Sequence, residues 1–101
     1  MVRLAELEID PTALAAYLEL LREEIEVSVA NEPGVVMLHA VQVRDAPHQV
    51  RLLEVYSSRE AYEAHIQSPH FLKYKAGTAD MVRSLRLIDV DPIVLAAKAG
   101  A

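Results

Sequence analysis

Apolar positions along this chain recur in two spacings, every second residue and every third or fourth, and the switches between them set out its elements. Val2 to Ile9, rich in Leu and Val and broken by Glu6 and Glu8, predicts a strand. Asp10-Pro11 predicts a helix start. Asp caps by accepting a backbone N–H, and Pro at the first helical position loses no bond because that N–H has no intrahelical partner. Leu14, Leu18, Leu21, Ile25 and Val29 follow at helical spacing, with Glu19, Arg22, Glu23 and Glu26 on the other side. This helix is expected to reach about Asn31, where Pro33-Gly34 ends it and turns the chain. Tyr17 is read as core edge rather than pocket.

Val35 to Arg44 predicts a second strand that is apolar on both faces: Val35, Met37, Val41 and Val43 on one, Val36, Leu38 and Ala40 on the other. Such a strand is covered on both faces, yet one layer of helices covers only one. A partner subunit is the simplest cover for the second. Asp45 to Gln49 reads as a polar turn, and Val50 to Tyr56 as the third strand of a hairpin. Ser57 to Glu60 fits a capping box with Ser57 as the cap, opening a helix to about Gln67. Ser68-Pro69 restarts it, and Phe71, Tyr74, Thr78 and Met81 or Val82 carry an inward face to about Val82. Leu85 to Val90 predicts the fourth strand, broken by Asp91-Pro92. The order β-α-β-β-α-β predicts an α+β, ferredoxin-like fold with an antiparallel sheet. Residues 1–101 read as one domain. Its tail, residues 92–101, is short enough and apolar enough at Ile93-Val94-Leu95 to add to a partner's sheet edge.

Composition sharpens this picture. At 52% hydrophobic in 101 residues, the chain is more apolar than so small a domain needs for its own core, which again points to a homodimer. A net charge of −5 with no basic stripe removes nucleic acid and anionic membrane from the expected partners. The absence of cysteine excludes disulfides, thiolate metal sites, iron–sulfur clusters and a thiol nucleophile. With no Gly-rich phosphate loop either, no cofactor is expected: neither flavin, heme nor iron. Charge within the first six residues argues against a signal peptide, and there is no long apolar run, so the expected location is cytoplasmic.

Few polar residues fall where a pocket could use them. Glu54 is mid-strand in an apolar run and shares a face with Leu52 and Tyr56. His65 lies on the second helix, His70 just past its restart, and Tyr62 and Tyr74 flank them. A mid-strand Glu commonly reaches solvent and a lone helical His commonly plays a structural part. Convergence is what gives these residues weight. If Glu54 and Tyr56 face the helices, then carboxylate, phenols and imidazoles meet between sheet and helices. Five positions on an unbroken helix would separate His65 from His70 by roughly 140°. The Ser68-Pro69 break frees both to point inward. Two His and one carboxylate also suit iron or zinc, but no tight ligand motif accompanies them and no metal is expected. His39 reads as structural or partner-facing, and His48 as solvated.

The segment Leu53 to Phe71 resembles the antibiotic-biosynthesis-monooxygenase (ABM) family. It has a strand ending in Glu54-Val55-Tyr56, a helix carrying His65, and then Ser68-Pro69-His70-Phe71. Asn31-Glu32-Pro33-Gly34 is similar to that family's acidic-Pro-Gly turn before its second strand. The resemblance implies a dimeric α+β barrel of the quinol-monooxygenase-like or autoinducer-2-degradation-isomerase-like branch. It implies cofactor-independent oxidation, by O2, of a small electron-rich aromatic such as a hydroquinone. Heme-degrading and anthrone-oxidising members place a Trp at the site, and this chain has none, so heme degradation is not expected. In the oxygenase reading His65 or His70 is the base, and Glu54 orients the imidazole or holds a substrate hydroxyl. Tyr56, Tyr62 and Tyr74 are the expected substrate contacts. Two alternatives stand beside it. One is an isomerase of a small phosphorylated keto sugar-like compound working through an enediol, with Lys73 or Lys75 near enough to supply a cation. The other is a non-catalytic module that binds a small ligand.

Overall fold

The computed structural model describes residues 1–100. Strand β1 (Val2–Ile9) leads through a short 3-10 turn at Pro11–Ala13 into helix α1 (Leu14–Asn31). Strands β2 (Val35–Val43) and β3 (Ala46–Tyr56) form a hairpin. Helices α2 (Arg59–His65) and α3 (Pro69–Thr78) then precede β4 (Val82–Val90). The sheet runs β2-β3-β1-β4 with every neighbouring pair antiparallel, which is the expected ferredoxin-like arrangement. Two caps act as read from the sequence: Asp10 accepts from the Thr12 N–H, and Ser68 accepts from the Phe71 N–H ahead of Pro69.

Several expected boundaries move, each for a visible reason. The cap of α2 is Ser58, whose side chain accepts from the Ala61 N–H, because the Ser57 N–H bonds Gly34 O. Helix α2 stops at His65, and α3 stops at Thr78. Beyond it the Met81 N–H bonds Thr78 O and the Asp10 N–H bonds Met81 O, so Val82 pairs with Ile9 as strand. The hairpin turn is tighter than Asp45–Gln49, since Val43 already pairs with Ala46. Pro47, His48 and Gln49 fall in a register shift on β3, where the N–H that proline lacks is not needed for pairing with β2.

The buried stripe of α1 is also rotated from the one predicted. Tyr17, Leu21, Glu24 and Ser28 face the sheet, whereas Val29 is half exposed. Tyr17 is fully buried core, packed with Leu7, Ile9, Leu52 and Val50. Gly34 is required by packing and not by a left-handed backbone: a Cβ there would lie 2.5 Å from the Ala61 Cβ, so only glycine lets β2 enter against α2.

Directly paired residues share a sheet face. The register therefore turns Arg3, Ala5, Leu7 and Ile9 of β1, and Val50, Leu52, Glu54 and Tyr56 of β3, toward the helices. The opposite face carries Val2, Leu4, Leu53, Val55 and Ile88. Glu6 sits among them 3.5 Å from both Arg51 and Arg86. His39 pairs with Leu53 on this face. No helix among the described residues lies over it, and Leu4 and Val41 stand exposed there at 38% and 62%.

Candidate functional site

Between the sheet and helices α2 and α3 lies an apolar cavity of about 470 Å³. Ala5, Leu7, Leu52, Leu85 and Leu87 supply its sheet side, and Leu21, Ile66 and Phe71 its helix side. Glu54 projects into it from the middle of β3 because positions two apart on a strand share a face, here with Leu52 and Tyr56. The Tyr56 hydroxyl donates to Glu54 Oε1 at 2.6 Å. Burial drives the Glu54 carboxyl above its ordinary range, and the Tyr56 bond offsets only part of that rise. Burial likewise holds the Tyr56 phenol neutral, and it pushes the Tyr74 phenol up to about 12.

Arg3 pairs in register with Glu54 on one side and Asp89 on the other, so a cation sits between two carboxylates in one row across the sheet. Its Nε donates to Asp89 at 2.9 Å and its Nη1 donates to the Tyr62 hydroxyl at 2.7 Å. At the far end of the cavity the Tyr17 and Tyr74 hydroxyls share a hydrogen bond of 2.7 Å.

His65 closes the helix side. It is 2% exposed and packs against Tyr56 and Phe71. Both ring nitrogens face carboxylates: Nε2 is 3.1 Å from Glu24 Oε1, and Nδ1 is 2.9 Å from Glu32 Oε2. The Ser28 hydroxyl lies 2.9 Å from the same Glu24 oxygen. His70 Nε2 is 2.6 Å from Glu32 Oε2. Burial alone would lower the His65 pKa, but the bonds to Glu24 and Glu32 outweigh it and the net shift is upward. For Glu32 burial acts upward and the two imidazoles outweigh it, holding the carboxyl below its usual range.

Of the residues expected at the site, Glu54, Tyr56, Tyr62, His65 and Tyr74 line the one cavity, and His70 does not. His70 is turned to Glu32 instead. Glu54 bonds Tyr56 and not an imidazole; Glu24 and Glu32 are the carboxylates that orient His65. Lys75 lines the cavity, while Lys73 is bonded to Glu23 at 2.6 Å on the outside. Glu24 and Arg3 were missed. The signal for Glu24 was its place in the Tyr17, Leu21, Glu24, Ser28 series, four residues that fall on one helix face.

The family model described as antibiotic biosynthesis monooxygenase matches residues 1–77. No curated protein matches the chain. Among solved structures, a protein of Bacteroides thetaiotaomicron provisionally named an antibiotic biosynthesis monooxygenase is 50% identical, with a TM-score of 0.93 over 97% of this chain and 93% of its own. A Mycobacterium tuberculosis protein is 27% identical, with a TM-score of 0.82 over 95% of this chain and 97% of its own. A Nitrosomonas europaea protein, also provisionally named an antibiotic biosynthesis monooxygenase, is 23% identical and shares the fold, with a TM-score of 0.86 over 92% and 98% of the two chains.

Proposed function

This chain belongs to the antibiotic biosynthesis monooxygenase family, and from that membership we propose that it is a cofactor-independent monooxygenase that oxidises a small electron-rich aromatic, such as a hydroquinone, with O2. The observation that carries this reading is Glu54, a carboxyl with its affinity for protons raised by burial, set in an apolar cavity among phenols. A base of raised pKa in an apolar pocket suits removal of a ring-hydroxyl proton. The resulting anion passes an electron to O2, and recombination at carbon forms the C–O bond. The O–O bond then breaks, leaving one oxygen on the ring and releasing the other as water. Hydroquinone would yield a hydroxyquinone, the substrate supplying the electrons.

In this scheme the base is Glu54, not His65. Both ring nitrogens of His65 are engaged by carboxylates, Nε2 with Glu24 and Nδ1 with Glu32, so neither is free to take a substrate proton in the cavity. His65 acts as a positioning residue that holds the cavity wall. Tyr56 holds the Glu54 carboxyl through its 2.6 Å hydrogen bond, Tyr74 donates to a substrate oxygen, and the ring of Tyr62, with Arg3 4.5 Å above its centroid, bounds the cavity. The protein is a homodimer of single-domain chains in this proposal, with the exposed sheet face against its partner and residues 92–100 of the tail extending onto the partner's sheet edge, Ala101 lying outside the described residues.

Oxygen uptake with a panel of hydroquinones, run beside absorption spectra and flavin, heme and iron analysis, tests the reading. Uptake matched by a hydroxylated quinone, from a colourless protein and lost in Glu54→Gln, is the expected result. A flavin or heme band, or no uptake with any quinol, would refute it. Lys75 on the cavity wall favours one second reading, an enediol isomerase of a phosphorylated keto compound. That reading predicts turnover of such a compound with no O2 consumed. Saturable quinol binding without turnover would mark a binding module.

A further inference from the structure

Glu32, His65 and His70 come from three separate elements and bring their ligand atoms within 4.8 Å of one another. Glu32 caps the C-terminus of α1, His65 ends α2, and His70 lies in the first turn of α3. The Ser68-Pro69 restart sets the last two facing the same point, and Pro33-Gly34 directs the first.

The contacts within this cluster converge on a single carboxylate oxygen. His70 Nε2 and His65 Nδ1 both address Glu32 Oε2, at 2.6 and 2.9 Å. His65 Nε2 faces Glu24, whose oxygen also lies within reach of the Ser28 hydroxyl. One carboxylate oxygen therefore serves two imidazoles, at a point where His65 is 2% exposed. A divalent cation placed there would take all three groups as ligands. Neutral His65 then gives its Nδ1 lone pair to the ion and keeps an N–H on Nε2 for Glu24. A carboxylate behind a ligating histidine is the usual outer support of metal sites.

We propose that Glu32, His65 and His70 bind a first-row divalent cation of the zinc class, with Glu24 as the outer carboxylate that orients His65. Two imidazoles and one carboxylate favour Zn2+ over Mg2+ and Ca2+, which prefer an all-oxygen shell. Tetrahedral Zn2+ with bonds of about 2.0–2.1 Å separates its ligand atoms by about 3.3 Å. The two short contacts therefore open by about half an ångström. Side-chain rotation supplies that, because Glu32 and His70 are 18% and 16% exposed and not locked in the core. Glu32 and His70 do not line the cavity, so the ion ties α1, α2 and α3 together behind its wall. It is independent of the oxygen chemistry proposed above and revises the expectation of a chain without metal.

The test is titration of chelator-dialysed, full-length protein with ZnCl2 near neutral pH, by calorimetry and by metal analysis after dialysis. One zinc per chain at micromolar or tighter affinity is expected, with Mg2+ and Ca2+ failing to compete. His70→Ala and Glu32→Gln should each weaken binding by about tenfold or more. Their folding is checked by circular dichroism. A His39→Ala/His48→Ala double variant removes the two histidines outside the cluster and should bind as the parent does. No uptake by the parent protein would overturn the proposal. So would uptake that survives both His70→Ala and Glu32→Gln, or that is lost with His39 and His48.

Discussion

Replacing Glu24 by alanine tests the idea that the polar contacts in the cavity wall hold the fold and are not decoration on it. Glu24 is 5% exposed and its Oε1 stands 3.1 Å from Nε2 of His65, itself 2% exposed. Neither group can recover its hydration when the other is removed. Breaking a buried pair from one side costs about 3–5 kcal/mol, because the remaining partner is left buried without an acceptor. That is a large share of the roughly 5–15 kcal/mol that stabilises a typical domain. At about 4–8 °C per kcal/mol for a chain of this size, Glu24→Ala should lower Tm by about 12 °C or more. Glu24→Gln keeps the shape and one acceptor, and should cost about 1–2 kcal/mol. The assay is urea unfolding followed by circular dichroism in the presence of chelator, so that bound cations add nothing to the native state. Lys73→Ala is the control. Its ion pair with Glu23 is shorter, at 2.6 Å, but the side chains are 63% and 47% exposed, and solvent screens them. The urea midpoint should hardly move. A loss below about 1 kcal/mol in Glu24→Ala, or equal losses in the Ala and Gln variants, would refute the reasoning.

Three further outcomes follow from the same geometry. Gly34→Ala should cost about 1–3 kcal/mol through overpacking against Ala61, and the loss should shrink when it is made in an Ala61→Gly background; equal losses in both backgrounds would mean the two positions do not touch. The folded Glu54 carboxyl binds its proton more tightly than the unfolded one, so its contribution to stability falls as pH rises from the unfolded pKa through the folded one. Glu54→Gln removes that slope, so its Tm should gain on the parent as pH rises above the ordinary carboxylate range, even as turnover is lost; a gain confined to acid pH would reverse the assignment. Sizing at micromolar concentration should give twice 11.2 kDa, and Leu53→Lys on the open sheet face should give a monomer; a parent protein that already runs as a monomer would sink the dimer.

The order of elements and the sharing of one sheet face by Leu52, Glu54 and Tyr56 were legible because both rest on short-range rules. Strand residues two apart share a face, and Ser-Pro restarts a helix wherever it occurs. The start of β4 was not legible, because Met81 and Val82 continue the spacing of Phe71, Tyr74 and Thr78. Only pairing with Ile9, more than seventy positions earlier, makes Val82 a strand. Glu24 and the aim of His70 were hidden for a related reason. A glutamate on an amphipathic helix reads as solvent-facing unless its partner is known, and the partner here is His65 on another helix. His70 was near Glu54 in sequence, yet its acceptor is Glu32, 38 positions away.

The strand order has a consequence for how the molecule is made. β1 is synthesised first but lies in the interior of the sheet, pairing with β3 on one edge and with β4 on the other. Val2 meets Val55 and Val90. A chain emerging from the ribosome thus holds its first strand unmatched until the hairpin is out, and half-matched until residue 90 has been added. Such long sequence separations slow folding, because each closure fixes a large loop before any contact rewards it. Leu85 and Leu87 of the last strand stand beside Arg3 of the first and Glu54 of the third around the cavity, so its floor is complete only when the final strand docks. Ligand binding at that floor reports on finished chains and is blind to every partly synthesised one.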